Sequence, residues 1–454
     1  MRVFITWLFL ITCGALKPAG AQTQLKLPPA LPSADSVARP QAPILTLRDA
    51  LQTALKNSLD IQISQTNVAV QDLYNSAGFA GGLPTVGIAA SNNVVINNTQ
   101  QEFNTGLGVT RVGARSSQYN VGLTGSYLLY NGGRVVATRA RLGELEQISQ
   151  LQLNSTVQNV LADVSLKYYA VVQQQRYIRT LEASAEVSRQ KLTLIKTRQS
   201  VGLANNADLF QAQLDLNAQL QTKQQQALAA QQATADLLRS LTLDLDTRVA
   251  VEDTIPVNLD LRWEDIDASL TKNPNLLAAE RQVRVNELLE RVARANRSPS
   301  LSLNSGTNFA RNQNAVGVTL FNQSYGPYAG LSLGVPIYTG GTNKRLVKIA
   351  QLNTKTVQLQ RTALERNYRT NALKAWEAYQ QTLALVNTAQ ESYTTAKKLL
   401  NLVQLRLNAG LSTLVDVRIA QQSFEDAGYR LVNYRYNAKS AEITLQQLAA
   451  LLTP

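Results

Sequence analysis

The chain repeats itself once, at a fixed offset. From Tyr130 onward a shift of 208 positions keeps landing on the same residue or a close relative: Tyr130 on Tyr338, Gly132 on Gly340, Gly133 on Gly341, Arg198 on Arg406, Gly202 on Gly410, Leu203 on Leu411, Asp208 on Asp416 and Gln213 on Gln421. Upstream the shift widens to 215 at Pro84 and Pro299 and to 216 at Asn57 and Asn273, which places a length difference inside one loop. A period this long lies far above that of solenoid repeats, so the fold has to be one module made twice. The expected halves are residues 45–250 and 258–453.

Within each half, helix-breaking residues nearly vanish after a glycine pair. Residues 144–201 and 342–409 contain neither Gly nor Pro. Apolar residues recur there three or four apart, as in Leu142, Leu145, Ile148 and Leu151, then Val157, Val160, Leu161, Val164, Tyr168 and Val171. At ~1.5 Å per residue such a run makes a helix of about 100 Å, longer than any compact domain of this size. A rod of that length must bury its apolar stripe along other rods, as in coiled coils and bundles. Each run stops at Gly202-Leu203 or Gly410-Leu411, and a second helical pattern returns from Asp208 or Asp416. Two long antiparallel helices with a tight tip are therefore expected in each half.

The segment before each glycine pair reads differently. An amphipathic helix (Ala50, Leu51, Ala54 and Leu55; then Ile266, Leu270, Leu276 and Leu277) is expected to end before Pro84 or Pro299. Period-two alternation follows, which predicts β-hairpins at about 85–130 and 300–338, with strands of ~10 to 12 residues. Leu301, Leu303 and Phe309 alternate with Ser302, Asn304 and Asn308. The return strands set Tyr119, Val121, Leu123, Tyr127 and Leu129 against Asn120, Gly122, Thr124 and Ser126, and Leu331, Leu333, Val335 and Ile337 against Gly330, Ser332 and Gly334. Polar loops are expected at about 97–117 and 311–326, and Tyr119, Tyr127, Tyr130, Tyr328 and Tyr338, on or beside the strands, suit an interfacial aromatic belt. Such strands suit a tilted crossing of a bilayer, and they equally suit a half-buried hairpin on a soluble core. In a bilayer, four strands cannot close a barrel and an open edge is not tolerated, so the chain would have to assemble. Dimer, trimer and tetramer all remain open on that count.

Composition closes off much chemistry. There is no histidine, Cys13 is the only cysteine, and 44 Lys and Arg stand against 31 Asp and Glu. No Cys or His metal site, disulfide or His-dependent catalysis is available beyond residue 21, and no phosphate-cradling loop or nucleophile elbow is present, so neither enzyme activity nor a cofactor is expected. Residues 1–21 read as a signal peptide, with Arg2, the apolar run Val3–Leu16 and Ala19-Gly20-Ala21 as the cleavage site. Pro28, Pro29, Pro32, Pro40 and Pro43 make 22–44 an extended linker. No nucleic-acid partner is expected, because the basic residues are spread along the helices without a run of five.

Taken together, the signal segment, the duplicated helix-hairpin-helix module, the Tyr-x-Gly-Gly turns (Tyr130, Gly132, Gly133; Tyr338, Gly340, Gly341) and the Gly-Leu-x4-Asp tips (Gly202, Leu203, Asp208; Gly410, Leu411, Asp416) resemble the TolC-like outer-membrane efflux proteins. The resemblance implies a mainly α fold with a membrane β-barrel: a homotrimer whose twelve-stranded β-barrel in outer-membrane lipid continues into a long periplasmic α-helical barrel. It implies an exit duct, serving drug efflux or type I secretion, that docks with a periplasmic adaptor (membrane fusion protein) and an inner-membrane transporter, ABC or proton-driven. It further implies that the tips form the tunnel entrance and docking site, with Asp416 at a family carboxylate position. The family's entrance Tyr and Arg fall on Leu407 and Ser412 here, and a second acidic position falls on Ile419. Independently of function, Asn205-x-x-Asp208 and Thr413-x-x-Asp416 read as helix caps, and Gly202 and Gly410 as left-handed helix ends. A soluble periplasmic adaptor or coiled-coil scaffold is the rival reading, since it too would use long helical hairpins.

Overall fold

A computed structural model describes residues 44–247, 249–252 and 254–453. The segment expected to be a signal peptide and almost all of the proline-rich stretch lie outside them. The first half runs β1 (Ile44–Leu45), α1 (Leu47–Asn57), α2 (Leu59–Tyr74), β2 (Thr85–Glu102), β3 (Gly108–Tyr130), α3 (Arg134–Ser200) and α4 (Asn206–Ser240). A two-residue strand, β4 (Ala250–Val251), leads to the second half: α5 (Trp263–Leu270), α6 (Pro274–Ala295), β5 (Ser300–Asn314), β6 (Phe321–Gly334), α7 (Thr342–Asn408) and α8 (Leu414–Leu448). Both long helices have 67 residues, about 100 Å each.

Where one amphipathic helix was expected at the start of each half, two short ones form. Thr46 caps α1 by accepting from Asp49 N at 3.1 Å, and the chain then turns at Ser58 before α2. In the second copy Asn273 accepts from Asn275 N at 2.8 Å and Pro274 opens α6, so the same break is built from a cap and a fixed φ. Parallel pairing of β1 with β4 ties the start of the described chain to the connection between halves. Tyr168 on α3 fastens that pairing: its hydroxyl donates to Leu45 O at 3.0 Å and accepts from Glu252 N at 3.1 Å.

Around this point lies the main apolar core. Ala50 and Leu51 of α1, Leu161, Val164 and Val172 of α3, Leu237 of α4 and Ile443 of α8 pack together there. A second cluster pins α5 to α7 and α8 through Ile266, Tyr379 and Leu445, and Trp263 and Trp376 sit against it as packing residues with ring centroids 6.1 Å apart. Farther along, each helical hairpin has its own seam: Leu192, Ile195, Ala212 and Leu216 between α3 and α4, and Ala396, Leu400, Ala420, Phe424 and Ala427 between α7 and α8.

The four long strands form one antiparallel sheet in the order β2-β3-β5-β6. The strands are longer than the expected 10 to 12 residues: β2 has 18 and β3 has 23. Most of the expected polar loops at 97–117 and 311–326 is therefore strand. Pairing continues through their Asn, Gln and Ser residues, past a bulge between Asn97 and Thr99, because ladder hydrogen bonds to a neighbour outweigh low strand propensity. Connections shrink to 103–107 and 315–320. The outermost β3–β5 pair is Ser116 with Asn314, so the first hairpin projects past the second. At the other end β6 stops at Gly334, leaving Val335 and Ile337 outside the strand. Pro336, which has no N–H to give to a ladder, accounts for the early end.

Candidate functional site

Three places bear the sequence signals: the sheet, its junction with the helices, and the hairpin tips. On the sheet, ladder register sorts side chains onto two faces. One face carries Ile88, Ala90, Val121, Leu123, Leu303, Phe309, Tyr325, Leu331 and Leu333. The other carries Ala89, Ser91, Asn120, Gly122, Thr124, Ser302, Asn304, Gly306, Asn308, Gly330 and Ser332, all small or polar. A sheet with nothing packed on its apolar face among the described residues, flanked by Tyr119, Tyr127 and Tyr130, has the pattern of a strand wall in lipid with its small, polar face lining an interior. Tyr328, expected with those tyrosines in an interfacial belt, points instead to the polar face. It pairs with Gly306, where a Cβ would stand 2.1 Å from Leu123 O and 3.0 Å from the Tyr328 hydroxyl, so the ring fills the room a side chain would take. Among the described residues neither edge strand, β2 or β6, has a partner on its outer side.

At the junction the two glycine pairs adopt left-handed backbone: Gly132 and Gly133 at φ 66° and 81°, Gly340 and Gly341 at φ 61° and 76°. Gly132 is also sterically fixed, because a Cβ there would lie 2.3 Å from Ser298 Cβ. Asn131 completes the turn by accepting from Val135 N at 3.3 Å. Tyr130 and Tyr338 are both exposed beside their glycines.

The tips are near copies of each other. At the end of α3, Leu203 N donates to Arg198 O at 2.8 Å across Gly202, and at the end of α7, Leu411 N donates to Arg406 O at 2.8 Å across Gly410. Both glycines have φ 77°. The return helices start with capping boxes. Asp208 N donates to Asn205 Oδ1 at 2.8 Å, and Asp416 N donates to Thr413 Oγ1 at 3.2 Å. Asp416 accepts in turn from Thr413 N at 2.8 Å and from Ser412 Oγ at 3.1 Å. The backbone N–H of Thr413, then the hydroxyls, hold its carboxyl below the usual carboxylate range. Between capped helix ends stand two bare leucines, Leu203 at 77% and Leu411 at 68% exposure.

Sequence reading missed the groups that join the two hairpins near these tips. Lys191 of α3, with its side chain 1% exposed, meets Asp215 of α4 at 2.6 Å, and Arg418 of α8 reaches the same carboxylate at 3.3 Å. Gln211 adds a bond to Asp215 at 2.8 Å. Burial works against the Asp215 carboxylate, but Lys191, Gln211 and Arg418 outweigh it and its pKa lies below the ordinary value. Arg198 donates to Leu407 O at 2.6 Å, giving a cation to the carbonyl end of α7. Deeper along the seam, Gln421 donates to Ser184 Oγ at 2.6 Å and Ser188 Oγ at 2.9 Å, all buried. Near the tips the contact between hairpins is thus polar, and the seam within the first hairpin sets the buried Lys191–Asp215 pair beside the apolar Leu192, Ile195, Ala212 and Leu216. The only sequence signal was Lys191 itself, a charge on the apolar stripe of α3. Leu407, where the resemblance places an entrance Tyr, is buried, and Ser412, where it places an Arg, serves the Asp416 cap.

Among the described residues there is no cluster of acidic or Cys side chains that could hold a metal, and no helix is long and apolar enough to cross a membrane. The fold defines a channel-type protein: a sheet with one apolar face carried on paired helical rods. The chain belongs to the outer membrane efflux protein family, whose sequence profile matches residues 50–242 and again 266–451. It is 26% identical over 313 residues to the outer membrane protein TolC of Vibrio cholerae, covering 66% of this chain and 70% of that one. It is 24% identical over 442 residues to the solvent efflux pump outer membrane protein SrpC of Pseudomonas putida, covering 94% and 88%. The crystal structure of the Campylobacter jejuni CmeC outer membrane channel superposes with a TM-score of 0.72 over 89% of this chain and 85% of that one, at 18% identity, which shows the shared fold. This is therefore an outer-membrane channel protein and not an enzyme, and the soluble scaffold reading falls away.

Proposed function

We propose that the chain is the exit duct of a tripartite efflux system and that three copies build it. The observation that carries this reading is the four-stranded sheet with one lipid-compatible face and two unpaired edges. Unpaired N–H and C=O groups in hydrocarbon cost several kcal/mol each, so the edges must meet those of other copies. With β2 and β6 running antiparallel to each other across the joint, three copies give twelve strands, wide enough for a passage where eight would be filled by side chains. Substrate then moves passively down a lumen lined by Asn, Ser, Thr and Gly, and energy enters at an inner-membrane transporter. Relatives named for efflux favour small compounds over secreted protein as cargo. The halves 45–250 and 258–453 supply the two equivalent wall segments.

In this reading the tips form the periplasmic entrance. Leu203 and Leu411, exposed between capped helix ends, are the docking knobs for a periplasmic adaptor, with Gly202 and Gly410 setting their direction. Asp208 and Asp416 give the entrance its negative charge. The test is electrical. Purified mature protein should form heat-modifiable trimers that conduct in planar bilayers, and Asp208→Ala with Asp416→Ala should raise single-channel conductance and weaken block by multivalent cations. A monomer that leaves the bilayer silent would refute the duct. Unchanged conductance and block in the double variant would remove both aspartates from the entrance.

A further inference from the structure

We propose that Arg115 and Arg311 form a binding site for the phosphate groups of a phosphorylated glycolipid in the outer leaflet of the membrane. This rests on the outer-membrane placement of the sheet and on its apolar face being the lipid face. Arg311 lies opposite Tyr119 in the ladder, and Tyr119 lies opposite Asn92, while Arg311 pairs on its other side with Gln323. Asn92, Tyr119, Arg311 and Gln323 therefore make one polar row across all four strands on a face that is otherwise mostly apolar toward the helices. Below that row the face reads Ala90, Val121, Phe309 and Tyr325, then Ile88, Leu123, Thr307 and Pro327. The row lies far from the helices, so it marks where hydrocarbon ends on the outer side. Val94, Ile96 and Phe321 lie beyond it, on the two edge strands.

Arg115 has the same parity as Tyr119 in an unbroken stretch of ladder and stands four residues farther out on β3, about 13 Å along the strand. Both arginines are exposed, and neither makes an ion pair among the described residues. The Arg311 guanidinium lies over the Phe321 ring, 5.2 Å from its centroid, which holds the charge at the band's edge. An arginine on the lipid face is costly at the bilayer midplane and tolerated at the interface, so the position itself requires an anionic or aqueous neighbour. Two guanidinium groups on adjacent strands suit phosphates held at the interface by acyl chains, since Arg binds phosphate through paired N–H bonds. Both lie on the middle strands β3 and β5, away from the edges that closure would cover.

Native mass spectrometry of the purified mature protein in detergent tests this, with bis-phosphorylated lipid A, dephosphorylated lipid A and inorganic phosphate as probes. Bis-phosphorylated lipid A should bind, dephosphorylated lipid A should bind at least about tenfold more weakly, and Arg115→Gln with Arg311→Gln should erase that difference. Arg115→Lys with Arg311→Lys should keep part of it. Equal binding of the two lipids by the unaltered protein overturns the proposal, and that comparison needs no variant to fold. Equal binding of phosphorylated lipid A by the Gln variant overturns it too. Displacement of the lipid by equimolar inorganic phosphate would reassign the arginines to a free-anion site and also overturn it. Planar-bilayer conductance of the Gln variant should match the unaltered protein, so a silent channel would count against the duct and not against the lipid site.

Discussion

Asp215 offers the sharpest test of how the first hairpin is held closed near its tip and tied to the second. Its carboxylate is the common acceptor for Lys191 at 2.6 Å and Arg418 at 3.3 Å, and the side chains of Lys191 and Asp215 are 1% and 15% exposed. Asp215→Ala leaves an ammonium ion buried without a partner, a defect that costs about 3 to 5 kcal/mol. Arg418 is partly solvated and its share is at most about 1 kcal/mol. The loss is local to the tip, so it should appear as faster amide hydrogen exchange in α4 and the first turns of α8. A loss of about 3 kcal/mol in local opening free energy corresponds to roughly 100-fold faster exchange there. Replacing both partners, as in Lys191→Met with Asp215→Leu, removes charge and counter-charge together and should restore most of the protection. The pH dependence has a definite sign. A carboxylate whose folded pKa is depressed contributes above its unfolded pKa of about 4 and loses that contribution as pH falls through the lower folded value. The tip should therefore stay closed through mild acid and loosen only below about pH 4. If Asp215→Ala changes exchange in α4 by less than about threefold, or if the double variant is as unprotected as the single one, Lys191 is not held by Asp215 and the reasoning fails.

Other substitutions probe separate links. Gly132→Ala combines φ 66° with a Cβ placed 2.3 Å from Ser298 Cβ, whereas Gly340→Ala meets φ 61° with open space around it. The first should abolish outer-membrane assembly and the second should only lower its yield, as read by heat-modifiable bands. Gly428→Ala would set its new methyl 2.6 Å from Thr180 Cγ2 across the seam between α8 and α3. A cost of about 1 to 3 kcal/mol is expected, seen as a lower Tm, with partial recovery in Gly428→Ala/Thr180→Ser. Tyr379→Phe removes the hydroxyl that donates to Asn258 O, and should lower thermal stability by about 0.5 to 1.5 kcal/mol while leaving conductance unchanged.

Much of this architecture is legible without coordinates because its strongest signals are local. The Gly- and Pro-free runs became α3 and α7, and Asn205, Thr413, Asp208 and Asp416 became capping boxes, since caps are decided within four residues. Strand length was not legible in the same way. Asn97–Glu102 and the first residues of β3 have the composition of a loop, and only their pairing with each other makes them strand. Tyr328 shows a different failure: its parity with Gly330 and Ser332 put it on the inner face, but its aromatic character suggested the lipid interface. The Lys191, Asp215 and Arg418 cluster was out of reach, because Lys191 and Asp215 are 24 residues apart and meet only once α3 and α4 have packed, and Arg418, 203 residues from Asp215, joins them only when the second hairpin docks.

The exposed apolar residues of the helices separate an isolated chain from an assembled one. On α7, Leu352, Leu359 and Leu373 stand at multiples of seven and are all exposed, and on α4, Phe210, Leu214 and Leu228 are exposed as well. Helix α7 packs on α6 and α8, and α4 packs on α3, so these two helices lie toward opposite sides of the layer, as β2 and β6 do in the sheet. A stripe with a seven-residue spacing is what a helix needs to meet another helix along its length. If neighbouring copies join α7 of one to the opposite side of the next, one rotation closes both the sheet and the helical wall. Leu359→Asp separates the alternatives. At a solvated position it should change stability by no more than about 0.5 kcal/mol and leave assembly untouched. In a closed wall it places a charge in an apolar seam, and heat-modifiable trimers should be lost while the secreted chain keeps its helical circular dichroism. Normal trimers from Leu359→Asp would show that this stripe does not meet a second copy.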